Sequence, residues 1–407
     1  MHWITIKPDA RSNWLSEGSA DYDSLLPLGL QPRAHNPESI FDEYCLGVST
    51  NRDDTVYDFS AETLTTKIRE FLDAYGVEVL RYTRARRPKN VDEFLDYRHV
   101  KWSETLKRKL VSAVTSDFDL AKIRTSLYRP FCREWLYYDA LAVDRPASFA
   151  HIFPGKRSTA ENVVICSPTV GARTPHWCFS TNSIPNLNLG SVDAVQCFPF
   201  YTYAEDGTHR RENITDWALE QFRSRYHDPS IAKWDIFHYI YAVLHHPEYR
   251  ERYAANLRRE LPRVPFVGSA SAFRALAGAG QRLAEIHVHY EQQPEYPLVK
   301  TEKAGQKLDY HVTKMKLSKD KASLIYNQFL TLSKIPPETY EYRLGNRSAI
   351  EWVIDQYQVS TDKRSGITND PNRADDPLYI LRLIGQVVAV SLETVKIVKS
   401  LPPWPAE

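Results

Sequence analysis

"IFHYIYAVLHHPEYRERYAANLRRELPRVPF" (Ile236–Phe266) holds three histidines, four tyrosines and five arginines in 31 residues. Its reading decides whether this chain is built around a metal, a catalytic centre, a nucleic-acid surface or a helical scaffold. His238 and His245 are seven residues apart and share a helical face, with His246 and Glu248 nearby. A metalloprotease helix needs histidines at i and i+4 with a glutamate between, and that spacing is absent. The segment 230–245 is apolar nearly all round, as buried helices are. Arg250, Arg252, Arg258, Arg259 and Arg263 alternate with Glu248, Glu251 and Glu260. Interleaved charge of this kind favours an ion-paired scaffold over a DNA-binding stripe. The stretch therefore predicts helical scaffold, with its histidines in the core or at helix ends.

Around it lie 407 residues, enough for two or three cores. Apolar content of 43% and charged content of 25% are those of a globular protein. Tyrosine (24) and tryptophan (9) are abundant and glycine (15) is scarce, so flat amphipathic faces serve both core and interface. No apolar run reaches the roughly 20 residues of a membrane helix, and "MHWITIKPDARSNW" lacks the basic and apolar regions of a secretory signal. The five scattered cysteines include no CxxC, which fits reduced, buried thiols in a cytoplasmic protein. Cys166, Cys178 and Cys197 lack the paired spacing of structural zinc, so no metal is expected.

The net charge of +1 conceals an uneven distribution. Residues 1–60 carry four basic and ten acidic side chains, whereas 81–110 carry ten basic and four acidic. "RYTRARRPK" (Arg81–Lys89) has five basic residues and no acid, and Lys303–Lys321 has six lysines against two acids. Such runs suit a polyanion, although a solvated face produces them too.

Along the chain, 1–40 read as a connector rich in Pro, Ser, Asp and Asn. "FDEYCLGVSTNRDDTVYDFS" predicts strand, turn, strand. A helix follows with Ser60 as its cap and Leu64, Ile68, Phe71 and Leu72 on one face, and another is capped by Ser103. Short β-prone runs fill 122–203, beginning with a hairpin in "SLYRPFCREWLYYD". Helices dominate 213–290: one opens at Asp228-Pro229, one at His246-Pro247, and "SAFRALAGAGQRLAEIHVHYE" forms a further one. A mixed region and a last apolar helix, Pro377–Leu401, close the chain. The expectation is an α+β fold. Its parts are a connector (1–40), a β-rich part (41–210), a helical scaffold (211–295) and a mixed C-terminal part (296–407).

Catalytic signatures are missing. "PGKRST" (Pro154–Thr159) has no upstream glycine for a phosphate loop. Gly278-Ala279-Gly280 lies inside an Ala-rich helix, not after a strand. No glutamate has lysine two residues on, and no Gly-x-Ser-x-Gly elbow exists. Asp376-Pro377-Leu378-Tyr379 lacks the second proline of the motif that holds a flipped adenine. "GVSTNRDD" (Gly47–Asp54) is the sharpest local feature. Asn51 and Arg52 at a hairpin tip can read adenine and guanine edges. Equally, the segment is a turn whose Asn and Asp bond the local backbone.

The ordered strings "GVSTNRDDTVYDFS", "KWSETLKRKL", "LYRPFCREWLYYD", "FPFYTY", "ITDWALEQF", the opening stretch, "KMKL", "YEYRLGNRSAIEWVIDQYQVSTDKRSGITNDPN" and "VSLETVKIVKSL" resemble the C-terminal specificity region of type ISP restriction–modification enzymes. The resemblance runs from about residue 41 to 401. It implies a target recognition domain that reads an asymmetric duplex sequence for an N6-adenine methyltransferase, a helicase-like ATPase and a nuclease. Those regions belong to the same parent polypeptide or a separate subunit, and no cofactor or chemistry is implied for this chain. "GVSTNRDD" also resembles the Gly-x-x-Thr-Gly turn of related methyltransferases, with Asn51 where glycine is more usual, so the backbone there is open. The candidate DNA-binding residues are Asn51, Arg52, Arg81, Arg84, Arg86, Arg87, Lys89, Lys101, Lys314 and Lys316, and none is catalytic. A protein–protein scaffold of a defence complex, or an enzyme whose site is not legible, are the other classes.

Overall fold

The computed structural model describes residues 18–30, 37–98, 100–155, 161–363 and 365–404. Much of the expected connector (1–17, 31–36) and most of "PGKRST" (156–159) lie outside the described residues. The architecture is α+β, built on three four-stranded sheets flanked by helices.

The first sheet joins β1 (Cys45–Leu46), β5 (Val164–Pro168), β6 (Phe179–Thr181) and β8 (Val195–Pro199) in the order β1-β8-β5-β6, all antiparallel. The second joins β2 (Tyr57–Asp58), β3 (Ile123–Arg129), β4 (Cys132–Tyr137) and β7 (Ile184–Pro185) in the order β2-β4-β3-β7. Strands β3 and β4 form the expected hairpin, while β7 runs parallel to β3. "FDEYCLGVSTNRDDTVYDFS" is not a hairpin. Its two strands belong to different sheets, and a helical turn, Asp53–Val56, lies between them. Val48 N–H donates to Pro185 C=O (2.9 Å) and Leu187 N–H returns a bond to Val48 (2.7 Å), so the segment is stitched along β7 as it crosses. A Cβ on Gly47 would come within 2.7 Å of the Asn186 carbonyl, so this close approach needs glycine.

Helix α1 (Ala61–Arg84) starts where Ser60 Oγ accepts from Thr63 N–H, and it buries Leu64, Ile68, Phe71, Tyr75 and Val79. Helix α2 (Glu104–Val111) is capped by Ser103 in the same way. The scaffold comprises α3 (Asp216–Tyr226), α4 (Lys233–His245), α5 (Pro247–Arg252), α6 (Ala254–Arg259) and α7 (Ala270–Val288). Asp228 does not cap α4. It closes a turn onto Ser230 (2.9 Å), and Asp235 instead caps the helix by accepting from Ala232 N–H (2.8 Å). Helix α4 is buried over most of its circumference, as its composition predicts. Gly280 lets α7 touch it backbone to backbone: a Cβ there would overlap the His238 carbonyl at 1.8 Å. His238 stacks on Trp234, His245 Nδ1 bonds the Tyr241 carbonyl (2.8 Å), and His246 Nε2 faces the Pro402 carbonyl (2.9 Å). All three serve packing.

The third sheet contains β9 (Val299–Glu302), β10 (Lys316–Leu317), β11 (Ser323–Ile325) and β12 (Leu330–Ser333), in the order β9-β12-β11-β10. Helices α8 (Ala349–Gln356) and α9 (Tyr379–Lys399) follow, with a small hairpin of β13 (Ser360–Thr361) and β14 (Thr368–Asn369) between them. Two buried clusters hold the molecule together. One spans Cys45 to Val390 and unites the second and third sheets with α1, α2, α8 and α9. The other centres on α3–α7 and takes in Tyr22, Leu28 and Ile40, so the described part of the expected connector is packed against the scaffold. Leu26 pairs with Val264 to close that seam.

Candidate nucleic-acid interface

Two clefts open beside the second sheet. The first, about 500 Å³, is lined by Asn51, Asp53, Asp54, Lys101, Glu134 and Asp362, among others. The second, about 1010 Å³, includes Ser60, Thr63, Asp58, Glu134, Asp370 and Asp375. They share Glu134, and the β13–β14 hairpin contributes Ser360 to one and Thr368 to the other. Both are rich in carboxylates. Glu134 sits on β4 with 4% of its surface exposed, and its Oε2 is buried without a hydrogen-bond partner. Burial pushes its carboxyl up to about 8, against the opposing pull of Arg129.

Asn51 lies on the rim with φ 56°, in the left-handed region where glycine is at ease and asparagine is among the better substitutes. The resemblance left this backbone open; the structure places it in the conformation a glycine would take. Asn51 Nδ2 donates to Asp144 Oδ2 (2.7 Å). Arg52 is not at a tip. It is fully buried beneath the turn, donating to Ala142 C=O (2.5 Å), Ser103 Oγ (2.8 Å) and Asp144 Oδ1 (2.9 Å). An arginine held this way is part of the floor and offers no fork to a base. Lys101 is half-buried, with Nζ 3.4 Å from Asp54 Oδ1.

The basic run lies elsewhere. Arg81 and Arg84 are within α1 rather than in a loop, and Arg81 pairs with Glu78 (2.6 Å) over the Phe94 ring. Arg86 and Arg87 end the helix with φ 59° and 54°, and they, Arg84 and Lys89 are exposed. Ser60 and Thr63, which line the second cleft, lie at the other end of α1, about 36 Å away at 1.5 Å per residue. Lys314 and Lys316 are exposed on the approach to β10, where Val359 N–H donates to Thr313 C=O (3.0 Å) beside β13.

The structure assembles a different cationic tract, one that no run in the sequence marks. A cleft of about 670 Å³ lies between the loop after β7 and a tight hairpin, Arg343–Ser348, and is flanked by Arg129 and Arg347. Each guanidinium lies over an aromatic ring, Arg129 on Tyr128 (3.9 Å) and Arg347 on Trp352 (4.9 Å). Arg347 also pairs with Asp355 (3.0 Å). The cleft shares Asn188 with the first acidic cleft and Thr174 with a pocket of about 350 Å³ that holds Arg250, Arg258 and Arg343. Val192 and Val170, on the bordering loops, are 75% and 46% exposed. Sequence reasoning missed these arginines because each stands alone in the chain. The one local hint is the paired Arg343 and Arg347 of "YRLGNR".

No helix among the described residues is long and apolar enough to cross a membrane, and none of their His, Cys, Asp and Glu side chains are grouped to hold a metal ion. A search of curated proteins returns no match. Three solved structures are similar over essentially the whole chain. A nuclease-deletion mutant of the Type ISP restriction-modification enzyme LlaGI, in complex with a DNA substrate mimic, superposes with a TM-score of 0.85 at 30% identity, over 100% of this chain and 37% of that one. The DrdV–DNA complex gives 0.84 at 32% identity, over 100% and 41%. The ATP-dependent Type ISP enzyme LlaBIII bound to DNA gives 0.85 at 28%, over 99% and 26%. The chain thus spans between about a quarter and two fifths of those proteins. The profile of the Type ISP C-terminal specificity domain matches residues 39–383. With most of its length matched, the chain belongs to the Type ISP C-terminal specificity domain family.

Proposed function

We propose that this chain recognises a specific sequence in duplex DNA and performs no chemistry itself. It serves methyltransferase, helicase-like ATPase and nuclease regions of a parent polypeptide or separate subunit in the cytoplasm. The observation that carries the reading is similarity over the whole chain to enzymes whose structures contain DNA. The surface supports it on one side only. The arginine tract combines cations stacked on aromatic rings with exposed loops, which suits backbone positioning and groove contact. The carboxylate-lined clefts suit neither.

Salt-dependent binding is the test. A chain that contacts phosphates displaces counterions, so log K falls with log salt by about 0.9 per phosphate. We expect such a slope on random duplex, with tighter binding on the cognate site. A flat response on every duplex would overturn the reading and leave a protein–protein scaffold. Absence of chemistry is tested by calorimetry with S-adenosylmethionine, where micromolar binding would contradict it.

A further inference from the structure

We propose that the pocket formed by Arg250, Arg258, Arg343, Thr174 and His176 is a seat for a single phosphate group. The inference rests on the reading of the arginine tract as the DNA-facing side only for the source of that phosphate. The pocket itself stands on geometry.

Three elements meet there. The loop after β5 is tied to the end of α6 by Gly171 N–H donating to Arg258 C=O (2.7 Å). The 343–348 hairpin presses onto the loop before β8, where a Cβ on Gly345 (φ +66°) would come 3.0 Å from the Gly190 carbonyl. Helix α5 supplies Arg250, held by the Leu244 carbonyl through Nε (2.5 Å) and facing Cys178 Sγ through Nη2 (3.5 Å). Arg258 and Arg343 are exposed, and neither they nor Arg250 is ion-paired among the described residues. Arg343 bonds only the Asn346 carbonyl of its own hairpin. Among the described residues Glu251 is the one carboxylate in the lining, against three arginines.

Two polar atoms at the same place lack partners. Thr174 Oγ1 and His176 Nε2 are buried without a hydrogen bond. Burial, reinforced by the charge of Arg250, holds the His176 imidazole down at about 3, so it stays neutral and adds no charge of its own to the pocket. Guanidinium groups lining one recess match the tetrahedral, multiply accepting phosphate. The space, about 350 Å³, has ample room for such a group, and Ala172 and Leu257 give it an apolar floor.

The phosphate comes either from a DNA backbone or from a free phosphate or nucleotide. The test uses the full chain and the double variant Arg258→Gln/Arg343→Gln, with His176→Gln as a second variant inside the pocket. The probes are inorganic phosphate and duplex DNA. A backbone source predicts that the double variant weakens binding to all duplexes by about tenfold and lowers the salt slope by about one unit. It also predicts that one methylphosphonate position that weakens the wild type no longer matters in the variant. A free source predicts that inorganic phosphate binds the wild type, that both variants lose it, and that DNA binding is unchanged. If the wild type binds no DNA but loses phosphate binding on substitution, the pocket stands and the DNA reading falls. If neither variant alters phosphate binding or the salt slope while unfolding transitions match the wild type, the proposal is overturned.

Discussion

The acidic clefts and the arginine tract touch at Asn188 yet carry opposite charge. They share their scaffolding: β3 ends in Arg129, which flanks the tract, and its neighbour β4 supplies Glu134, which joins the two clefts. The difference teaches how a net charge of +1 arises. The molecule is segregated, not neutral. The two surfaces adjoin rather than stand apart: Arg129 of the tract acts directly on the Glu134 carboxyl of the acidic side.

The largest effect expected from breaking this arrangement is at the floor of the acidic side. Arg52→Ala strands Asp144 and should destabilise the fold by about 3–5 kcal/mol, as loss of one partner from a buried pair does. Urea titration measures it. A loss confined to cognate-DNA affinity, with unchanged stability, would return Arg52 to the role of base reader.

Glu134→Gln comes next and separates the sides by pH. Below about pH 4.5 the carboxyl is protonated in both folded and unfolded chain. Between there and about pH 8 the unfolded chain sheds the proton while the folded chain keeps it. Wild-type stability should therefore fall as pH rises through that window, by on the order of a few kcal/mol, and the variant should not share the fall. Parallel slopes in denaturation at pH 5 and pH 8 would assign the effect to another group.

On the basic side, Arg347→Ala should cost about 1–2 kcal/mol of duplex affinity. Arg86→Gln with Arg87→Gln should cost less, about twofold, because those residues do not line the tract. Equal losses on a short duplex would erase the distinction between tract and helix end. At the junction, Asn51→Gly keeps the left-handed backbone but removes the bond to Asp144, which Arg52 and Ser103 still hold, so it should destabilise the fold by only about 1 kcal/mol. A drop on cognate DNA alone would make Asn51 a base reader despite its bond to Asp144.

Some of this was legible in local pattern. The Ser60 and Ser103 caps, the β3–β4 hairpin and the buried α4 follow from hydrogen-bonding and burial rules that act over a few residues. The same rules misread "FDEYCLGVSTNRDDTVYDFS" as a hairpin, because its two strands pair with partners far along the chain: Cys45 with Cys197, and Tyr57 with Leu136.

By itself, then, the sequence determined the main helices, the Ser60 and Ser103 caps, the burial of the 236–245 segment and the family. These rest on short-range periodicity and on the order of motifs. Only the tertiary structure decided which charges are free. Arg52 is neutralised by Asp144, 92 residues away, whereas Arg250, Arg258 and Arg343 line one pocket from separate elements without an ion-pair partner among the described residues. A charge is spent or available according to its neighbours in space, and in this chain those neighbours are set by sheet crossings that no local run of residues records.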